Sequence, residues 1–333
     1  MAERRGVLER GDRRPRAADA LEWTDALEWR RPMSRIVPRG YPATLAVRGA
    51  TLIDGTGAPA RRADVGVSRG RIEEIGDVAP AELELDVAGL TVLPGLIDAH
   101  GHLGSLNRDG SAPAAVAAAQ LFENCGLALD AGFTTIRDVG GVDGGIVAAI
   151  DAGLVRGPRI LPSGPLIAQY GGHGDKSHPF TEHPPGLEIP GLIRRQEVVD
   201  SPDQMRRAVR RAFKMGATQI KICVSGGVLS YTDRLEDTQF SLEEIRVAVF
   251  EAEARGSYVT AHCHNSAGMR LGLEGGIRCF EHASYLDEPT AALAASRSSR
   301  RSPWHGSVRR TSRRGACRTP TRCGPDSPGS SRR

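Results

Sequence analysis

His100 and His102 stand two residues apart, shortly after the apolar run Val92-Leu-Pro-Gly-Leu-Ile97. In an extended backbone, residues i and i+2 project to the same side, so one metal ion can take both imidazoles. A pair of loop or core histidines would show the same spacing. Lys221 lies between isoleucines in Gln219-Ile-Lys-Ile-Cys223, ahead of Ser225-Gly-Gly227. A lysine in such a run must be paired, neutralised or modified. Taken alone, it reads as a buried lysine meeting a carboxylate of a neighbouring strand. His262, in Ala261-His-Cys-His264, and His282, in Glu281-His-Ala283, alter that reading because each ends a further apolar run. Four candidate ligands on four strand ends point to a shared metal site.

The other polar candidates are placed more loosely. His173, in a glycine-rich loop after Ile160-Leu-Pro-Ser163, and Tyr231, after Ser225-Gly-Gly227, lie where loops would roof such a site. Either is a substrate contact or a surface loop side chain. Arg137-Asp138 reads as a structural ion pair at a strand end, and His264 as a solvent-facing imidazole in preference to a substrate contact. His178 and His183, in a proline-rich insertion, carry no argument of their own.

The elements that must hold these residues follow a repeated pattern after Pro94: helix, glycine, then an apolar strand ending in polar residues. Residues 114–131 read as a helix stopped by Gly132, before the strand Phe133-Thr-Thr-Ile136. Ser201 can cap a helix carrying Met205, Ala208, Val209, Ala212 and Phe213, stopped by Gly216 before Gln219-Ile-Lys-Ile222. Ser241 and Glu244 form a capping box, and Gly256 ends that helix before Tyr258-Val-Thr-Ala261. A last helix, 267–273, leads through Gly275-Gly276 to Ile277-Arg-Cys-Phe280. Alternating β and α at this spacing predicts a parallel sheet. Polar residues at the C-terminal ends of different strands select a (β/α)8 barrel of the TIM type over an open sheet. Six of its βα units are visible. Residues 41–92, with short alternating strands broken by Asp54-Gly55, Arg69-Gly70 and Gly76-Asp77, read as a small N-terminal β-sandwich module. The expected organisation is a disordered extension over 1–40, in which Met33 is a candidate start, the β-module over 41–92, the barrel over 93–295, and an Arg/Ser/Pro-rich disordered tail over 296–333.

A chain of 333 residues with a formal net charge of +4 has room for this core, and its arginines crowd the two ends. Nucleic-acid binding is therefore not expected. The six cysteines form no C-x-x-C pair, and four lie in apolar runs, which favours reduced, mostly buried thiols. With no apolar leader and no stretch near the roughly 18 apolar residues of a span, no membrane partner is expected, and cytoplasm is the default location.

The run Leu93-Pro-Gly-Leu-Ile-Asp-Ala-His-Gly-His102, followed by Lys221, His262 and His282, resembles the amidohydrolase superfamily over roughly residues 43–293. Gly171-Gly-His-Gly-Asp175, Ser225-Gly-Gly-Val-Leu-Ser230 and Gln239-Phe-Ser241 are similar to its branch of imidazolonepropionase-like proteins and Xaa-Pro dipeptidases. The resemblance implies two divalent metal ions, usually zinc, bridged by a carboxylated Lys221. His100 and His102 would hold one ion, His262 and His282 the other. It implies hydrolysis of C–N bonds by a metal-bound hydroxide, since metal binding lowers the pKa of water from about 16 to about 7. The substrates implied are small peptides or N-acyl amino acids.

In one respect the chain departs from that pattern. The family's last barrel strand supplies an aspartate, usually after Gly-Thr or Gly-Ser, as metal ligand and general base; no such motif follows His282 here. From Arg297 to Arg333 there is no Leu, Ile, Phe, Tyr or Met, and Asp326 is the one acidic residue. That composition resembles out-of-frame translation, so the alternative expectation for this polypeptide is a catalytically inactive, truncated fragment.

Overall fold

The structure, a computed structural model, describes residues 44–104, 113–180 and 188–298. The expected disorder of residues 1–40 and of most of the tail, His183 in the insertion, and Asp326 lie outside the described residues.

The chain opens with β1 (Thr44–Leu52), β2 (Arg61–Ser68), β3 (Arg71–Gly76), β4 (Leu83–Asp86) and β5 (Thr91–Val92). They form one sheet in the order β3-β2-β1-β4, with β5 also on β1. Arg69 and Gly70, at φ 50° and 70°, make the two-residue turn between β2 and β3. Positive φ at both positions matches the turn to the strand twist. Arg48 of the central strand β1 ties its two neighbours together by donating to Asp64 of β2 at 3.1 Å and Glu84 of β4 at 2.7 Å. Ala46, Ala50, Leu52 and Val65 are buried, while β3 is exposed along its length.

The α/β part begins with β6 (Leu96–Gly101), α1 (Ala114–Asp130), β7 (Phe133–Asp138), β8 (Gly141–Val142), α2 (Gly144–Asp151), β9 (Arg159–Pro162) and β10 (Leu166–Ala168). After β11 (Glu188–Ile189), β12 (Ile193–Arg194) and β13 (Gln196–Val198) come α3 (Pro202–Lys214), β14 (Ile220–Cys223), α4 (Leu242–Glu253), β15 (Val259–Asn265), α5 (Ser266–Gly275) and β16 (Cys279–Tyr285). Strands β6-β7-β9 pair in parallel, as do β10-β14-β15-β16. Only Ser163-Gly164-Pro165 separates β9 from β10, so one stretch of chain pairs with β7 through its first part and with β14 through its second. The result is an incomplete (β/α) barrel of the TIM type, in which β6 and β16 each have a parallel neighbour on one side. A small antiparallel set, β11-β12-β8, lies beside it, and β13 flanks β10. A second compact unit starts at Asp287 and contains α6 (Glu288–Ser298), which runs three residues beyond the barrel boundary expected at 295.

Local signals explain where the helices start and stop. Ser201 Oγ accepts from Gln204 N at the start of α3, and the Ser241–Glu244 capping box opens α4. α5 is capped by Asn265 and ends at Gly276, whose φ of 100° is a conformation glycine adopts without strain. The buried stripe of α3, Met205, Ala208, Val209 and Ala212, follows the i, i+3, i+4, i+7 rule. Leu121 and Cys125 of α1, Ile136 of β7, Ile146 of α2 and Ile160 of β9 share one apolar cluster. Cys125, Cys223 and Cys263 are buried free thiols and Cys279 is half-buried. Among the described residues no helix is long and apolar enough to cross a membrane.

Candidate metal centre

Parallel strands of a barrel deliver their C-terminal residues to one mouth, and here they deliver imidazoles. Ring centroids run 5.2 Å from His102 to His100, 4.8 Å from His100 to His282, and 4.7 Å from His282 to His262. His264 lies 4.8 Å from His282 and 4.6 Å from His262. His173 stacks on His262 at 4.0 Å. Six histidines from three strands and a loop thus form one continuous group. Within it, one ligand atom from each of His262, His264 and His282 can be chosen so that all lie within 4.8 Å of one another, a donor set for a single metal ion.

Lys221 reaches the same place from β14. It is 2% exposed, and its Nζ has no hydrogen-bond partner. Burial pulls its pKa down to about 8. The carboxylate partner that sequence alone made the simplest reading is not bonded to it. An orphaned amine beside imidazole nitrogens fits a site built to hold cations, where carboxylation or a metal-linked anion would satisfy that nitrogen.

Hydrogen bonds decide which nitrogens are free. His102 Nδ1 lies 2.9 Å from Gly140 O. A carbonyl only accepts, so Nδ1 carries the proton and Nε2 the lone pair. His262 has the reverse arrangement, with Nε2 3.3 Å from Gly226 O, which leaves Nδ1 as its donor atom. His264 Nδ1 meets Ser284 Oγ at 3.0 Å. Burial first, then the neighbouring His100 and Lys221, push His282 down to about 4, and burial drives His262 lower still. Neutral imidazoles are the form that binds metal.

His282 and Ala283 have φ of 67° and 51°, unusual for residues with a Cβ. In a regular strand Glu281 and His282 would point to opposite faces. The left-handed backbone breaks that alternation, and both residues meet the same imidazole, that of His100.

Two expectations need correction. Arg137 and Asp138 are not paired with each other, because successive strand residues project to opposite sides. Arg137 donates from Nη2 to Glu281 Oε1 and from Nε to Ala99 O, both at 2.6 Å. Asp138 accepts from Leu103 N at 2.7 Å and Gly140 N at 3.1 Å, fixing the turn after His102. His264 is not a solvent-facing bystander either. Two residues after His262 and on the same face of β15, its imidazole joins the cluster between His262 and His282.

The loops match the roofing role in part. His173 is buried, with Nδ1 3.0 Å from Ser230 Oγ and 3.8 Å from Asp233 Oδ2. Lys176 donates to His173 O at 2.6 Å and Leu229 O at 3.2 Å, and Thr232 Oγ1 donates to Gly171 O at 2.9 Å. These bonds lace the two loops together. Tyr231 is 65% exposed, and its ring meets His178 at 5.5 Å and none of the clustered histidines.

Glu281 is the residue that sequence reasoning left without a role. It is 7% exposed at the side chain and bonded to His100, Arg137 and Thr260. A carboxylate in a strand, one residue before a candidate ligand, was the available signal.

Residues 91–298 match the amidohydrolase family, and the chain belongs to it. It is 34% identical to an ochratoxinase of Aspergillus niger over 260 residues, covering 71% of this chain and 54% of that protein. Among solved structures it is similar to a prolidase complexed with N-methylphosphonate-L-proline, at 35% identity and a TM-score of 0.70, covering 76% of this chain and 64% of the other. It is also similar to a Xaa-Pro dipeptidase with methionine bound in its active site, at 31% identity and a TM-score of 0.66, with the same coverage. The chain thus spans about half the length of the curated relative, 54%, and just under two thirds of these solved structures, 64%.

Proposed function

We propose that this chain carries the metal-binding part of a hydrolase that cleaves C–N bonds in short peptides or N-acyl amino acids. The observation that carries the reading is the convergence of His262, His264 and His282 with the orphaned Lys221 Nζ at the barrel mouth. His100 and His102 would hold one divalent ion, His262 and His282 the other, with His264 close enough to join them and a carboxylated Lys221 between. Zinc suits an imidazole-rich set, and such ions polarise a carbonyl and make a water acidic enough to attack it near neutral pH.

The protein's own groups do the rest. Buried His173, held by Ser230, faces the centre and would contact the substrate carbonyl region, with Tyr231 at the rim as a second contact. The resemblance gives the general-base role to an aspartate of a last barrel strand, which the described residues do not contain. Similarity to a prolidase and a Xaa-Pro dipeptidase supports the dipeptidase side of the branch; the imidazolonepropionase side has no such support.

The test is metal content after zinc reconstitution with bicarbonate, followed by hydrolysis assays on Xaa-Pro dipeptides and N-acyl amino acids. About two ions per chain and chelator-sensitive hydrolysis are expected. Bound metal without hydrolysis would favour a non-catalytic metal-binding chain, and a chain that retains no zinc would overturn the reading.

A further inference from the structure

Glu281 makes three short bonds with its two oxygens. Oε1 accepts from Arg137 Nη2 at 2.6 Å and from Thr260 Oγ1 at 2.5 Å, and Oε2 faces His100 Nδ1 at 2.6 Å. An ionised carboxylate offers only lone pairs, so the His100 contact needs its proton on Nδ1. A neutral imidazole then has its lone pair on Nε2, the nitrogen left for a cation. Arg137 grips both halves of this arrangement, since its Nε donates to the carbonyl of Ala99, the residue before His100.

We propose that Glu281 is the positioning residue of the metal centre: it locks His100 in the Nδ1–H form and presents Nε2 to the ion, while Arg137 and Thr260 hold the carboxylate in place. This rests on the proposed role of His100 as a ligand. The four residues come from β16, β7, β15 and β6. Because β6 and β16 share no ladder among the described residues, this side-chain network connects them directly. Loading the His100 site is therefore coupled to docking of β16, which also carries His282.

A single substitution separates positioning from packing. In Glu281→Gln the amide has one oxygen and one NH2 group. Two donors, Arg137 and Thr260, claim the oxygen, which turns the NH2 toward His100 Nδ1. That nitrogen must then accept, Nε2 becomes protonated, and coordination there is blocked. Thr260→Val removes one donor and leaves the His100–Glu281 bond intact.

The tautomer of His100 is read by 15N NMR of histidine-labelled, metal-free protein, and zinc affinity by competition with a chromophoric chelator. Expected are Nδ1–H in the wild-type chain and in Thr260→Val, and Nε2–H in Glu281→Gln with affinity lowered about 10- to 100-fold. An Nε2–H tautomer in the wild-type chain overturns the inference, and that reading needs no variant to fold. A folded Glu281→Gln with wild-type tautomer and affinity overturns it equally. Failure of the wild-type chain to bind zinc would count against the proposed function, and it is distinguishable because the tautomer is measured without metal.

Discussion

His100-Gly-His102 on β6 and His262-Cys-His264 on β15 share a spacing and close two parallel strands, yet they are held by different partners. The β6 pair is fixed from behind by a carboxylate, Glu281, and a carbonyl, Gly140 O, both on Nδ1. The β15 pair packs among rings: His262 lies between His173 and His282, with Gly226 O on its Nε2, and His264 stacks on His282 at an interplanar angle of 13°. Identical spacing therefore presents different nitrogens, Nε2 from His102 and Nδ1 from His262. The nitrogen that faces a metal is set by what the opposite nitrogen bonds, a property of residues 36 to 181 positions away in sequence.

Lys221 is near enough to hold down the pKa of His102 in one pair and of His262 in the other, and is expected to give the largest effect. Lys221→Ala should lose at least one ion entirely, measured as metal per folded chain. Lys221→Met should do the same while stabilising the metal-free protein by about 1–3 kcal/mol, because it removes a buried amine with no partner. Retention of full metal loading in either variant would separate Lys221 from the centre.

His264→Ala sharpens the difference between the pairs. As a direct ligand, His264 should cost at least about 10-fold in zinc affinity when removed. An affinity within error of the wild type would return it to the surface role that the sequence suggested.

The turn behind the β6 pair should be sensitive to pH. Burial pushes the Asp138 carboxyl up to about 7, against the N–H groups that bond it. The folded state then holds this proton more tightly than the unfolded chain, whose carboxyl titrates near 3.8. The contribution is fully present below about 4 and is lost as pH rises through about 7. Relative to Asp138→Asn, the metal-free wild-type chain should lose on the order of 4 kcal/mol across that window, measured by denaturant titration. A pH-independent difference would mean that the N–H groups of Leu103 and Gly140 outweigh burial.

Ser241→Ala is the smallest change, and it touches neither pair. Losing the capping box of α4 should cost about 1 kcal/mol of stability and leave zinc affinity unchanged. A change in affinity would show that the centre responds to helix packing far from its ligands.

Much of the frame was legible because its signals are local. Ser201, the Ser241–Glu244 box, and Gly132, Gly216, Gly256 and Gly276 mark helix boundaries within three residues of those found. The strands that carry His100, Lys221, His262 and His282 followed from those boundaries, although Lys221 is the second residue of β14 and His262 and His282 lie midway along β15 and β16. What stayed illegible depends on contacts across the sheet or on departures from a regular strand. Arg137 was paired with its sequence neighbour when its partner was Glu281, 144 residues away. His264 shares a face of β15 with His262 by the two-residue alternation, but the His282 ring on which it stacks comes from the neighbouring strand β16, which spacing along β15 does not show. Glu281 and His282 share a face only because His282 takes a φ of 67°, which no residue type in Glu281-His-Ala283 announces.

The central claim is that histidines of different strand ends and Lys221 together form a metal centre at the barrel mouth. An anomalous difference map at the zinc edge, from crystals of the zinc-loaded chain, tests it most directly. The account predicts strong peaks among His262, His264, His282 and Lys221, with a neighbouring peak at His100 and His102, and zinc–nitrogen distances of about 2.0–2.1 Å. No peak at these residues, with zinc found only at surface histidines or cysteines, would contradict it.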